Sequence, residues 1–166
     1  MQCRLDRSLQ EATERWIRDQ NWRRPFACTL SLKQASEVDL GHWVPCTELL
    51  ASKNLRHFLN RVNRRCYGNA SSRYGKRVPC LAVLEGGGRT GKRLHYHLMI
   101  DCPRDELEAS YSRLLTRQWH QTEWGYREVR IEPCDFDWIP YILKQRSKQE
   151  FGSAIDWLNC QGSQRS

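Results

Sequence analysis

Two histidines separated by one residue, in the run Arg93-Leu94-His95-Tyr96-His97-Leu98-Met99-Ile100-Asp101, are the side chains of this sequence best placed to do chemistry together. The run reads as a strand, and strand side chains alternate, so His95 and His97 project from one face about 7 Å apart along the chain while Tyr96 points to the other. Two imidazoles on one face can share a metal ion, although such a pair alone is more often a satisfied structural feature. Glu85 ends a second apolar run, Cys80 to Glu85, separated from the histidines by the turn sequence GGGRTGK. Folded as a hairpin, the two runs bring the carboxylate opposite the histidines. A carboxylate with two imidazoles suits Mg²⁺ or Mn²⁺ with positions left open for a phosphate oxygen, and the imidazoles would also accept zinc.

A second pair sits near the C-terminal end. Tyr141 and Lys144 are three residues apart, so on a helix they share a face, one turn from each other. A phenol with a pKa of about 10 is a poor nucleophile at neutral pH unless a cation or base assists it. Lys144 can assist, or can clamp a phosphate. Taken alone, a packed tyrosine and a solvated lysine explain the same letters.

Composition narrows the setting. Lys and Arg number 27 against 19 Asp and Glu, a formal charge of +8, and the pI is about 9.3. That balance favours a polyanionic partner, nucleic acid first. The eight cysteines are scattered without a C-x-x-C pair, and the N-terminal run MQCRLDRSLQEATERWIRDQ carries charges throughout and no signal-like apolar stretch. Mostly buried thiols in a reducing, cytoplasmic compartment are expected. No run reaches the roughly 18 apolar residues of a membrane span. The triple glycine Gly86-Gly87-Gly88 lacks P-loop spacing and leads into a strand, so it reads as a hairpin turn.

The elements that must position these groups follow from hydrophobic period. Residues 4 to 19, with Leu5, Leu9, Thr13, Trp16 and Ile17 at helical spacing, form a leading amphipathic helix. Arg24 to Lys33 alternates, Phe26, Cys28, Leu30 and Leu32 on one face and Ala27, Thr29, Ser31 and Lys33 on the other, as a half-buried strand. SEVDLGHWVPC reads as a connection. Thr47 can cap a long helix carrying Leu50, Leu55, Phe58, Leu59 and Val62 and stopping before Gly68. YGNASSRYGKR reads as a flexible basic loop. After the hairpin, Pro103 opens a helix with Leu107, Tyr111, Leu114, Leu115 and Trp119; Tyr126 to Glu132 is a strand; Asp135 begins a last helix that Pro140 starts or kinks just before Tyr141. A short apolar turn, AIDWL, and a disordered end follow Gly152. The order β, α, β, β, α, β, α predicts an α+β, ferredoxin-like (RRM-like) antiparallel sheet with helices packed on one face. At 166 residues one domain is expected, with its core at about 25–148, the leading helix over 1–20 and a tail over 152–166.

In three places the sequence resembles the HUH endonucleases, named for two histidines flanking a hydrophobic residue. FACTLSLK (26–33) is similar to the family's first motif strand, LHYHLMID (94–101) to its histidine motif and YILK (141–144) to its tyrosine motif, and Glu85 stands where the replication-initiator branch takes its third metal ligand. The tyrosine follows the histidines, as in Rep initiators and single-tyrosine transposases, and residue 145 is Gln, so the resemblance is to single-tyrosine, Rep-type enzymes. It implies one Mn²⁺ or Mg²⁺ on Glu85, His95 and His97, and attack by Tyr141, with Lys144 beside it, on single-stranded DNA at an origin. It further implies a 5′-phosphotyrosine link and a free 3′-OH that primes rolling-circle replication. No Walker motif is present, so unwinding would fall to a host helicase, or the chain is part of something longer.

Arg23, Arg24, Lys33, Arg64, Arg65, Arg73, Lys76, Arg77, Lys92 and Arg93 are the basic candidates for holding DNA, and Trp22, Tyr74 and Tyr96 could stack on bases. Other readings remain open from the residues alone. One is a single-tyrosine transposase acting on hairpin DNA. Another is a non-catalytic RRM-like binding module, against which no RNP1-like run is present. A structural zinc protein is disfavoured by the scattered cysteines.

Overall fold

The computed structural model of the chain describes residues 2–87, 91–144 and 151–163; the side chains of 2–6, 144, 151 and 152 lie outside that description. Helix α1 (Gln2–Arg18) leads into strand β1 (Pro25–Leu32). A small hairpin, β2 (Ala35–Asp39) and β3 (His42–Pro45), precedes helix α2 (Glu48–Tyr67) and a short helix α3 (Asn69–Tyr74). Strands β4 (Cys80–Glu85) and β5 (His95–Asp101) follow. A 3₁₀ turn (Asp105–Ser110) runs into α4 (Tyr111–His120), and then come β6 (Gly125–Pro133), α5 (Trp138–Lys144) and α6 (Phe151–Ala154).

The main sheet has the order β4-β5-β1-β6 with every neighbour antiparallel. With α2 and α4 as the two crossovers this is the expected ferredoxin-like arrangement. Alternation divides each strand between two faces. Phe26, Cys28, Leu30, Tyr96, Leu98 and Ile100 enter one core cluster with Leu55, Phe58, Leu59 and Val62 of α2 and Tyr111, Leu115 and Trp119 of α4. Aromatic edges meet there, Phe26 on Tyr111 at 5.2 Å and Phe58 on Trp119 at 5.4 Å between ring centres. Thr47 caps α2 as its sequence predicts: the Leu50 amide donates to Thr47 Oγ1 at 3.2 Å, and Gly68, at φ +57°, ends the helix.

The opposite face is covered too. Leu81, Val83 and Met99 pack with Ile17 of α1, with Ile139, Ile142 and Leu143 of α5, and with Ile155. Two helices thus shelter this face in addition to the pair on the first. Pro140 is the third residue of α5, inside the first turn, where its missing N–H breaks no helical bond.

Three segments depart from the sequence reading. SEVDLGHWVPC, expected as a connection, is the β2–β3 hairpin, turning at Gly41 with φ +82°. Both its faces are largely exposed, so no alternation marks it. YGNASSRYGKR, expected as a flexible loop, contains α3, six residues between two glycines and too short to show a period. After α6 the tail binds the outer edge of β4: Asp156 N donates to Ala82 O at 2.9 Å, and Cys80 and Gln161 exchange both backbone bonds at 2.7 and 2.8 Å. Of the expected disordered end, 159–166, residues 159–163 are ordered, with Gln161 paired to Cys80, and 164–166 lie outside the described residues.

The seven described cysteines are free thiols, and burial pushes those of Cys66 and Cys160 up to about 12, so they stay protonated at neutral pH. Among the described residues no helix is long and apolar enough to cross a membrane.

Candidate metal centre and nucleophile helix

The centre is built by register. Glu85 of β4 pairs directly with His95 of β5, and Thr29 of β1 pairs directly with His97, so four polar side chains share the end of one sheet face. Glu85 Oε2 lies 2.9 Å from His97 Nε2 and 3.5 Å from His95 Nε2, and the two Nε2 atoms are 3.2 Å apart. One ligand atom from each residue falls within 4.8 Å of the other two. The histidine side chains are 16% and 11% exposed and the Glu85 side chain 22%, so the group is sheltered but open at one side.

The far nitrogens are anchored. His95 Nδ1 donates to the Arg93 carbonyl at 2.7 Å, which leaves the Nε2 lone pair for a cation. With its proton on Nδ1, His97 likewise donates to Thr29 Oγ1 at 3.3 Å. Two imidazole nitrogens and a carboxylate oxygen converge on one point with their outer atoms fixed, and such a donor set could hold a divalent ion.

Helix α5 brings the tyrosine to this face. Trp138, one turn before Tyr141, presents its ring edge-on to His97 at 6.3 Å and stacks on the Tyr141 ring at 4.7 Å. Tyr141 remains 46% exposed. The Trp138 indole is therefore a physical link between the candidate ligand His97 and the phenol. Its Nε1–H is buried and has no hydrogen-bond partner among the described residues. Lys144 ends α5 one turn beyond Tyr141, with its side chain outside the described residues.

The sequence-predicted ligands thus come together, and two neighbours escape sequence reasoning. Thr29 is legible as a polar residue on the second face of β1, but its contact depends on a register that spacing does not give. Trp138 lies at i−3 from Tyr141, and that spacing is the signal that could have singled it out.

The basic candidates divide. Lys33, whose Nζ donates to the Glu123 carbonyl at 2.7 Å, and Arg93, whose guanidinium lies 4.1 Å over the Tyr126 ring, sit with Lys92 at the sheet end that carries Glu85 and His95. Arg23 and Arg24 lie at the other end, where Pro25 pairs with Asp101, and are engaged by Asp105 and Glu108. Arg64 and Arg65 on α2, Arg73 on α3, and Lys76 and Arg77 beyond it stand on the side of the sheet covered by α2 and α4. Of the proposed stacking residues Tyr74 is exposed, while Tyr96 is fully buried and donates to Asp156 Oδ2 at 2.8 Å. Trp22 packs against the second core cluster with its Nε1 donating to the Ile17 carbonyl. Tyr96 and Trp22 are framework residues; in particular, a ring between two histidines that face the site must point into the core.

Comparison with known proteins finds no similar curated protein and no similar solved structure. A family model does match, that of the replication-associated protein ORF2, over residues 26–150, from the first residues of β1 past the tyrosine helix. The matched span contains Thr29, Glu85, both histidines, Trp138 and Tyr141. By that match the chain belongs to the replication-associated protein ORF2 family.

Proposed function

We propose that this chain nicks and rejoins single-stranded DNA to initiate rolling-circle replication, with Tyr141 as the nucleophile and one Mn²⁺ or Mg²⁺ held by Glu85, His95 and His97. The observation that carries the reading is the convergence of those three ligand atoms on the face where Trp138 also seats the Tyr141 ring. A divalent ion bound there supplies Lewis-acid polarisation of a phosphate oxygen and a template for its orientation.

The protein's own groups do the remainder. Glu85 would join the two imidazoles as the third ligand, and the Arg93 carbonyl and Thr29 Oγ1 hold their outer protons. Tyr141 Oη gives its proton to solvent and forms a bond to phosphorus as the bond from phosphorus to the 3′ oxygen breaks, and that oxygen takes up a proton from solvent. The products are a 5′-phosphotyrosine and a 3′-OH. Return of a 3′-OH reverses the exchange and rejoins the strand. Lys144, one turn away, favours the phenolate or grips the phosphate. Lys33, Lys92 and Arg93 lie where the strand would pass. Residues 1–166 act as one nuclease domain, since α1 and the tail complete the cover over the face that bears the site.

The test is a covalent-capture assay with diverse single-stranded oligonucleotides and Mn²⁺, resolved on a denaturing gel. The expected result is a heat-stable shifted band that EDTA abolishes and that Tyr141→Phe loses while still binding DNA. A band that persists in Tyr141→Phe removes Tyr141 from the role.

A further inference from the structure

On the side of the sheet covered by α2 and α4, remote from His95 and His97, lies a cleft of about 730 Å³ between α2, α3 and α4. Arg61, Arg64 and Arg65 of α2 and Arg77 beyond α3 line it, with Ser71 and Gln118 between them. We propose that this cleft is a second nucleic-acid site, which binds the phosphate backbone of double-stranded DNA. It requires that DNA is the partner but not that the histidine face performs nicking.

Three observations support a binding site over a merely solvated basic face. The first is that arginines of the cleft are held by neutral acceptors. Arg61 donates to Gln118 Oε1 at 3.0 Å and to Gln121 Oε1, and Arg77 donates to the Ser71 carbonyl and hydroxyl at 3.2 and 3.3 Å. Gln118 and Ser71 are themselves 2% and 6% exposed, so two of the guanidinium groups are set in place from below. The second is that no carboxylate neutralises the four. Every ion pair among the described residues involves other side chains, and no Asp or Glu lines the cleft. The carboxyl end of α2 offers about half a negative charge against four positive ones, so the helix dipole leaves most of the charge uncompensated.

The third is the lining, which also selects the form of the polymer. Single-strand grooves combine charge with aromatic platforms for unstacked bases. Among the described residues no Phe, Tyr or Trp lines this cleft. Apart from the His57 imidazole the described lining is guanidinium, hydroxyl and amide groups, which suit phosphates whose bases are already stacked and paired, as in a duplex, which presents about one charge per 1.7 Å of axis. The chain would then hold a duplex arm on its α2 and α4 side while a single strand occupies the side of His95 and His97.

The test measures binding of wild type and an Arg64→Gln, Arg65→Gln double variant by fluorescence anisotropy, with EDTA present so that no cleavage intervenes. The probes are a duplex of about 20 base pairs and an oligothymidine of about 20 nucleotides, each long enough to make several phosphate contacts. Both arginines are exposed on α2, and glutamine keeps helix propensity, so an unchanged circular dichroism spectrum is expected. Duplex affinity should fall by on the order of tenfold or more near 0.1 M salt. The slope of log affinity against log salt should shrink by about 2, one counterion per lost phosphate contact. Oligothymidine affinity should change far less. Equal losses on both probes, or none on the duplex, overturn the proposal. If the duplex effect appears while no phosphotyrosine ever forms, the cleft stands and the nicking reading falls.

Discussion

Replacing Thr29 by valine keeps the shape of the side chain and deletes the oxygen 3.3 Å from His97 Nδ1. His97 then loses the acceptor that holds its outer proton, and with it the tautomer that offers Nε2 to a cation. Loss of such an outer partner weakens metal affinity by about 10- to 100-fold. At a free Mn²⁺ concentration of about 100 times the wild-type Kd, binding stabilises the folded wild type by about 2.7 kcal/mol. A variant bound about 10 to 100 times more weakly keeps only about 1.4 to 0.4 kcal/mol at the same concentration. For a chain of this size about 1 kcal/mol moves Tm by about 2–4 °C, so Mn²⁺ should raise wild-type Tm by about 5–11 °C and that of Thr29→Val by about 1–6 °C. A thermal-shift titration, with each protein compared to itself in EDTA, reads this directly, and His97→Ala should show almost no shift. A Thr29→Val titration that superimposes on wild type would refute the argument that Thr29 orients His97. A full shift in His97→Ala would refute the site itself.

Trp138→Leu should leave single-strand binding intact and slow covalent capture by about 10²-fold, the scale of an ångström misplacement, with Trp138→Phe restoring most of the rate; equal rates in the leucine and wild-type proteins would show that the stacked indole does not seat Tyr141. Tyr96→Phe removes the bond donated to Asp156, and urea denaturation should show a loss of about 1.5 kcal/mol with Mn²⁺ affinity unchanged, whereas a change in affinity would contradict the separation of the two faces of β5. Burial holds the Asp101 carboxyl above the usual carboxylate range, although the Arg24 and Arg23 amides that donate to it pull the other way. Because the folded-state pKa is raised, its contribution to stability is present below the ordinary Asp range and is lost as pH rises through the raised value. Asp101→Asn, which retains an Oδ1 for both amides, should flatten the stability–pH curve across that interval, and an unchanged slope would count against this assignment.

The parts of the site that lie on one strand are legible in the sequence because a strand has a fixed period of two. His95 and His97 share a face for that reason, and Glu85 joins them because the glycine-rich turn returns the chain to the same register. Long elements with one buried face are legible for a similar reason: α2 shows its apolar stripe in full and announces its cap at Thr47. The β2–β3 hairpin is not, since Val38, Leu40 and Trp43 are exposed and no face is distinguished by burial. Sequence carries the positions of basic residues but not which side of the sheet they reach. Arg64 and Arg65 stand away from the histidines because Leu55, Phe58, Leu59 and Val62 commit α2 to the other core. The tail is opaque because residues 155–161 have no period of their own, and their place is set by the bare edge of β4.

The path of the chain around α5 has a mechanical side. β6, which leads into that helix, forms one edge of the sheet and is laddered to β1; the chain beyond α6 returns to the other edge and is bonded to β4. The helix carrying Tyr141 is therefore a strap fastened at both margins of one sheet. If a DNA strand joined to Tyr141 is pulled by moving replication machinery, tension enters the fold through two lines of backbone hydrogen bonds at once. Neither margin can give way without the other taking the load.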